Sequence, residues 1–240
     1  MRKVPTAAMA CTAPEVPVAA SLAEALAQPG AGRLLGSALG ARFGWTGRSR
    51  VDLTAATGLG VSPRTVRRWL HDEPDRPTVP ARRRPQILAA VRPSERTRTR
   101  ELLSLQHADQ GLRRIRLGRR RGNLAQYDTT GWLHPHTVVV LELPERGLCR
   151  VAVTRDSPPT ADRIRRGTEV LDHVTVSNRF AAVVVRFALL AEVDPWRVEA
   201  GPDFLSKGHT QLWLAAAPLP ALMNFARGRR FRSHPSTVRW

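Results

Sequence analysis

Arginine carries most of the chemistry available in this sequence, and its spacing gathers it into three sets. Residues 62–71 read Ser-Pro-Arg-Thr-Val-Arg-Arg-Trp-Leu-His. At helical spacing Val66, Trp69 and Leu70 fall on one side. Ser62, Pro63, Arg64, Arg67 and Arg68 are left on an outer face near the N-terminal end. A second set, Arg82, Arg83 and Arg84, stands among Pro74, Pro77, Pro80 and Pro85. A third runs through residues 111–122 as Arg113, Arg114, Arg116, Arg119, Arg120 and Arg121, with Gly111, Gly118 and Gly122 among them. The guanidinium group is planar and permanently charged, and its forked donors match phosphate, carboxylate or a base edge. The chemistry on offer is recognition of an anion.

Other reactive side chains form weaker constellations. His134 and His136 flank Pro135, and a metal site would need His173 or Asp128 to join them. No Cys/His partner spacing supports that, and Pro135 marks a turn. Asp156, Asp162, Glu169 and Asp172 could form a nuclease-type metal site. However, Asp162, Glu169 and Asp172 share a segment, residues 160–173, that reads as a helix, where Arg163, Arg165 and Arg166 balance their charge. Gly58-Leu-Gly60 lacks the Gly-x-x-x-x-Gly-Lys pattern of a phosphate loop. Cys11 and Cys149 are too few for a disulfide framework or a cysteine zinc cluster, and Cys149 reads as a small core residue. Trp132, Trp196 and Trp213 read as core anchors, with base stacking as the alternative for one of them. No catalytic residue, cofactor or metal is expected.

The composition points the same way. Lys+Arg total 38 against 20 Asp+Glu, a net charge of +18, and Lys3 and Lys207 are the only lysines. Residues 42–121 hold 20 arginines against 7 acids, +13, so the electrostatic footprint is central. Such an excess implies a polyanionic partner. A hydrophobic content of 42% excludes wholesale disorder. No apolar run reaches the length of a membrane-spanning helix, so no membrane association is expected, and a cytoplasmic, nucleoid-associated place follows.

The elements that must position these arginines follow from turn and cap residues. Ser21 with Glu24 makes a capping-box start for a short helix, stopped by Pro29-Gly30. Leu34, Leu35, Ala38, Leu39 and Phe43 mark one helical face over 31–43. In Asp52-Leu-Thr-Ala-Ala-Thr-Gly-Leu-Gly-Val-Ser-Pro-Arg-Thr-Val-Arg-Arg-Trp-Leu70, Leu53 and Ala56 lie inward on a first helix. Gly60 supplies the positive φ of a tight turn, and Val61 plugs the gap between helices. Ser62 caps the second helix, with Pro63 at its first position. Residues 72–85 read as an extended basic connector, and 86–117 as one or two helices. Residues 137–143 and 148–154 read as a β-hairpin, residues 180–192 as a buried helix or strand, and 211–217 as a strand. The expected fold class is α+β: an N-terminal all-helical helix-turn-helix domain followed by a smaller mixed α+β domain. Its divisions are a disordered leader at 1–20, the helical domain at 21–110, a basic arm or hinge at 111–122, the α+β domain at 123–232, and a tail at 233–240.

The 52–70 stretch resembles the helix-turn-helix superfamily of bacterial DNA-binding proteins. The resemblance implies that residues 62–71 form a recognition helix lying in the major groove of double-stranded DNA. Arg64, Arg67 and Arg68 would meet guanine O6/N7 or phosphate, with Thr65 and His71 on the same helix. Residues 52–57 would cross the backbone. A narrower resemblance covers residues 31–105, where Leu59-Gly-Val-Ser-Pro-Arg-Thr-Val-Arg-Arg-Trp-Leu is followed by a Pro/Arg connector and an Arg-rich helix. It is to terminal proteins that cap linear actinobacterial replicons. It implies a hydroxyl that accepts a deoxynucleotide, for which Tyr127, Thr129 and Thr130 are rivals, although core packing is the plainer role for Tyr127. The first functional expectation is a sequence-selective DNA-binding protein that uses this helix and an Arg-rich arm. A homodimer, or a replication or regulatory protein partner, would engage its C-terminal half. The alternatives are a replication-associated terminal protein, and a DNA-processing enzyme with catalysis in residues 122–240.

Overall fold

The computed structural model describes residues 19–44, 48–71, 79–118, 124–155, 168–205 and 211–227. The fold is mixed α+β, with helices alone up to Thr129 and a five-stranded antiparallel sheet beyond. Ser21 caps α1 (Leu22–Ala25) by accepting from the Glu24 amide, and the Glu24 carboxylate reaches back to the Ala20 amide at 2.8 Å. This is the expected cap exchange, displaced by one residue. Helix α2 (Gly32–Phe43) buries Leu35, Ala38 and Leu39. It packs against α3 (Arg48–Leu59), α4 (Pro63–Leu70) and α5 (Arg84–Val91), so one helix organises the N-terminal bundle.

The expected extended connector is only partly described, since residues 72–78 lie outside the described residues. At its far end it is not extended. Residues Ala81–Arg83 form a 3₁₀ turn that runs into α5 at Arg84. The apolar pattern over 86–117 resolves into two helices, α5 and α6 (Glu95–Gly118). Pro93 separates them, because a residue before proline is driven out of the helical region, and Arg92 sits at ψ 154°.

Residues 111–118, expected as the start of a flexible arm or hinge, are instead the last turns of α6. Gly111 is buried there because the Phe180 ring lies directly over its Cα, where a Cβ would collide with it. The glycine serves a close helix crossing rather than flexibility. Residues 119–122 of that expectation lie outside the described residues.

The hairpin follows its expected course. Strands β1 (His136–Leu143) and β2 (Leu148–Thr154) pair with Val140 opposite Val151. The helix expected over 160–173 is overturned at its C-terminal end, where β3 (Glu169–Val176) pairs antiparallel with β1. Its residues alternate Glu-Val-Leu-Asp-His-Val-Thr-Val, a period of two with β-branched valines, and Leu171 points outward rather than into the core. Glu169 and Asp172 therefore share a strand, not a helix. Residues 160–167 lie outside the described residues.

The apolar run after it is a helix, α8 (Arg179–Glu192), started by the Asn178 side chain accepting from the Ala181 amide at 2.9 Å. It covers β1, β2 and β3 on one side and meets α6 on the other. Beyond it come β4 (Arg197–Glu199), α9 (Pro202–Leu205), β5 (Gln211–Leu214) and α10 (Leu222–Ala226), and the sheet order is β3-β1-β2-β5-β4. Helix α7 (Ala125–Thr129) precedes the sheet.

Helices and sheet share one hydrophobic core, in which Leu35 and Leu39 join Phe180, Leu148 and Trp213. Polar ties reinforce the contact. The Gly201 amide donates to the Ala41 carbonyl at 2.7 Å. The Glu199 carboxylate accepts from the Ser94 amide at 2.6 Å and the Thr97 hydroxyl at 2.8 Å, capping the N-terminus of α6. Arg197, buried on β4, forks onto both carboxylate oxygens of Glu101 on α6. Removing one partner of such a buried pair costs about 3–5 kcal/mol.

Candidate nucleic-acid interface

The outer face of α4 is set by how the chain leaves α3. The Val61 amide donates to the Ala56 carbonyl at 3.0 Å, and the Gly60 amide to the Thr57 carbonyl at 3.3 Å. These are the paired bonds of a Schellman ending, and they put Gly60 at φ 59°, where a side chain would be strained. Val61 packs half-buried against the core. The chain then restarts at once. Ser62 Oγ accepts from the Thr65 amide at 3.2 Å and lies 2.8 Å from Thr65 Oγ1, and Pro63 takes the first helical position. Such a cap contributes about 1 kcal/mol and fixes the direction of the following helix.

Helix α4 is divided sharply. Val66 and Trp69 are 0% and 2% exposed and Leu70 is half-buried. Ala56 and Leu59 of α3 are buried too, while the side chain of Leu53 lies outside the described residues. Arg64, Arg67, Arg68 and His71 are exposed, as is Ser62, and Thr65 and Pro63 are half-buried. Together Ser62, Arg64, Thr65, Arg67, Arg68 and His71 line a concavity of about 430 Å³. This face carries fixed positive charge and hydrogen-bond donors of the kind that suit an anion.

The other expected contact residues divide into exposed and structurally engaged. Arg82 is exposed. Arg83 is half-buried and donates to Gln86 Oε1 at 2.8 Å, while Arg84 is half-buried and donates to the Val79 carbonyl at 3.0 Å. Gln86 uses its other end to donate to the Leu59 carbonyl at 2.6 Å, tying α5 to the end of α3. Sequence reasoning passed over Gln86, since nothing local marks a side chain that bonds a backbone group 27 positions earlier. Arg113, Arg114 and Arg116 are exposed on the last turns of α6, where cations favour the helix dipole. Arg119, Arg120 and Arg121 lie outside the described residues.

The rival hydroxyls are held locally. Tyr127 Oη accepts from Arg114 Nη1 at 2.8 Å, and its ring meets Phe180 edge-on at 5.0 Å. Thr129 and Thr130 both donate to the Gln126 carbonyl, at 3.1 and 3.2 Å. His136 is buried with Nδ1 2.9 Å from the His134 carbonyl, and His134 lies 3.9 Å from Asp128. Among the described residues no three of His, Cys, Asp and Glu gather as metal ligands. Trp196 and Trp213 are buried, and Trp132 is half-buried against Phe180. Cys149 is buried opposite Glu142 in the hairpin, and burial, helped by that carboxylate, pushes its thiol up to about 12. Among the described residues no helix is long and apolar enough to cross a membrane. No protein-family model, curated protein or solved structure matches the chain.

Proposed function

We propose that this protein binds double-stranded DNA, with the N-terminal end of α4 entering the major groove and α3 crossing the phosphate backbone. One observation carries the reading: α4 buries Val66 and Trp69 while exposing Arg64, Arg67 and Arg68. A groove about 12 Å wide admits a helix, and each bidentate arginine–guanine contact supplies about 1–3 kcal/mol of discrimination. Arg82, Arg113 and Arg116 add sequence-independent phosphate contacts.

Sequence-selective binding is preferred to end priming because Tyr127 has a structural role, its ring packed edge-on against Phe180 and its hydroxyl accepting from Arg114. The test is selection of the full-length protein against a random duplex library. Enrichment of a defined motif, with the DNA released unmodified by SDS, supports the reading. A pool that stays random through successive rounds, or DNA that stays attached after SDS, overturns it.

A further inference from the structure

A second cationic place lies away from α4, in a cleft of about 610 Å³ between α6, α8 and β2. It shares no lining residue with the α4 face. Its apolar walls include Trp132, Val151 and Val183. Arg179 and Arg186 stand in it, seven residues apart on α8 and so on one face, about 10.5 Å apart along the axis. The Arg179 guanidinium lies over the Trp132 ring, 4.5 Å from its centroid. His107 of α6 meets the same ring edge-on at 5.5 Å. Trp132 thus holds Arg179 over its face, with Phe180 packed against it at 4.8 Å and His107 at its edge.

Arg186 is the unusual member. Its Nε is buried with no hydrogen-bond partner, and the group rests on the Phe187 ring at 4.6 Å. Burial pushes its pKa below the ordinary guanidinium range. Glu101 opposes that shift and Arg179 adds to it. Glu101 does not neutralise it outright, because both oxygens of that carboxylate are already forked by Arg197. A cation held in this way is costly to the apo protein, and an entering anion relieves the cost. The cleft volume falls in the range of small-molecule sites, about 300–1,000 Å³.

We infer that this cleft binds a small organic anion, a carboxylate or phosphate monoester on a flat apolar body, with Arg186 taking the anion and the wall of Val151, Val153 and Val183 the body. This site is independent of the DNA reading. The test is calorimetry on the full chain with 2-naphthoate, 2-naphthyl phosphate and the neutral 2-naphthamide. At least one anion binds with one-to-one stoichiometry, and the amide binds about tenfold or more weaker. The better of the two anions assigns carboxylate or phosphate. Arg186→Gln weakens the anion about 10- to 100-fold and leaves the amide unchanged. Ser104→Trp, at an exposed position on the cleft wall, blocks both and serves if Arg186→Gln does not fold. The Arg64→Ala/Arg67→Ala protein binds the probes like the parent, so loss of DNA binding leaves this result intact. Neither anion binding, the amide binding equally well, an Arg186→Gln protein with parental affinity, or displacement of the probe by duplex DNA overturns the inference.

Discussion

Gln86 on α5 donates its side-chain amide to the carbonyl of Leu59, the last residue of α3, at 2.6 Å. The final carbonyls of a helix have no partner within it, so this bond satisfies one of them. Its other end accepts from Arg83, so the strut is held from both sides. Because Leu59 leads directly into the turn before α4, the strut fixes where α4 stands. Gln86→Leu should lower stability by about 1–2 kcal/mol in urea unfolding. An unchanged midpoint would show that the bond contributes nothing.

The salt dependence of DNA binding should separate the exposed arginines from the engaged ones. Replacing Arg113 and Arg116 by Ser removes two phosphate contacts and flattens the slope of log K against log salt by about 2. Arg114 is tied to Tyr127, so its replacement alone should change stability more than the slope. Identical slopes for the parent and the double variant would mean that the end of α6 stays clear of DNA.

Two helical glycines should respond in opposite directions to alanine. A Cβ on Gly111 strikes the Phe180 ring, while one on Gly36 finds its nearest neighbour, Leu70 Cδ2, at 3.7 Å. Gly111→Ala should therefore destabilise by about 1–3 kcal/mol, since the ring must move. Gly36→Ala should stabilise by about 0.5–1 kcal/mol through reduced backbone entropy. Thermal unfolding of the two proteins distinguishes them, and a stabilised Gly111→Ala protein would contradict the α6–α8 packing.

Cys149 gives a pH signature. Its thiol is raised from 9.0 to about 12 by burial first and by Glu142 second. The folded protein then keeps the proton that the unfolded chain releases. The resulting stabilisation is complete below pH 9.0 and is lost as pH rises toward about 12. Cys149→Ala should remove one proton from the stability slope in that window. In the native state the thiol should resist a disulfide reagent and react promptly after unfolding. Rapid labelling of the native thiol would mean the hairpin opens readily.

Local chemistry was legible in the sequence and distant packing was not. The Ser62 cap, the Gly60 turn and the hairpin over β1 and β2 are written in neighbouring residues, and the structure has them where that chemistry puts them. The start of β3 was misread because Leu171 stands seven residues after Ile164, a spacing that suits a helix face, and only pairing with β1 decides for a strand. Gly111 looked like a hinge because its partner, Phe180, is 69 positions away. Similar separations hid the Glu101–Arg197 pair, 96 positions apart, and the cleft around Arg186, whose lining comes from α6, β2, α8 and β5 as well as Trp132.

The proposed function rests on α4 acting as the reading element. The direct measurement is the affinity of the parent and of Arg64→Ala/Arg67→Ala for the selected duplex and for a scrambled one, at one salt concentration. The double variant should lose about 2–6 kcal/mol for the selected duplex and much less for the scrambled one. Unchanged affinity for the selected duplex, or an equal loss for both, would contradict base reading by α4.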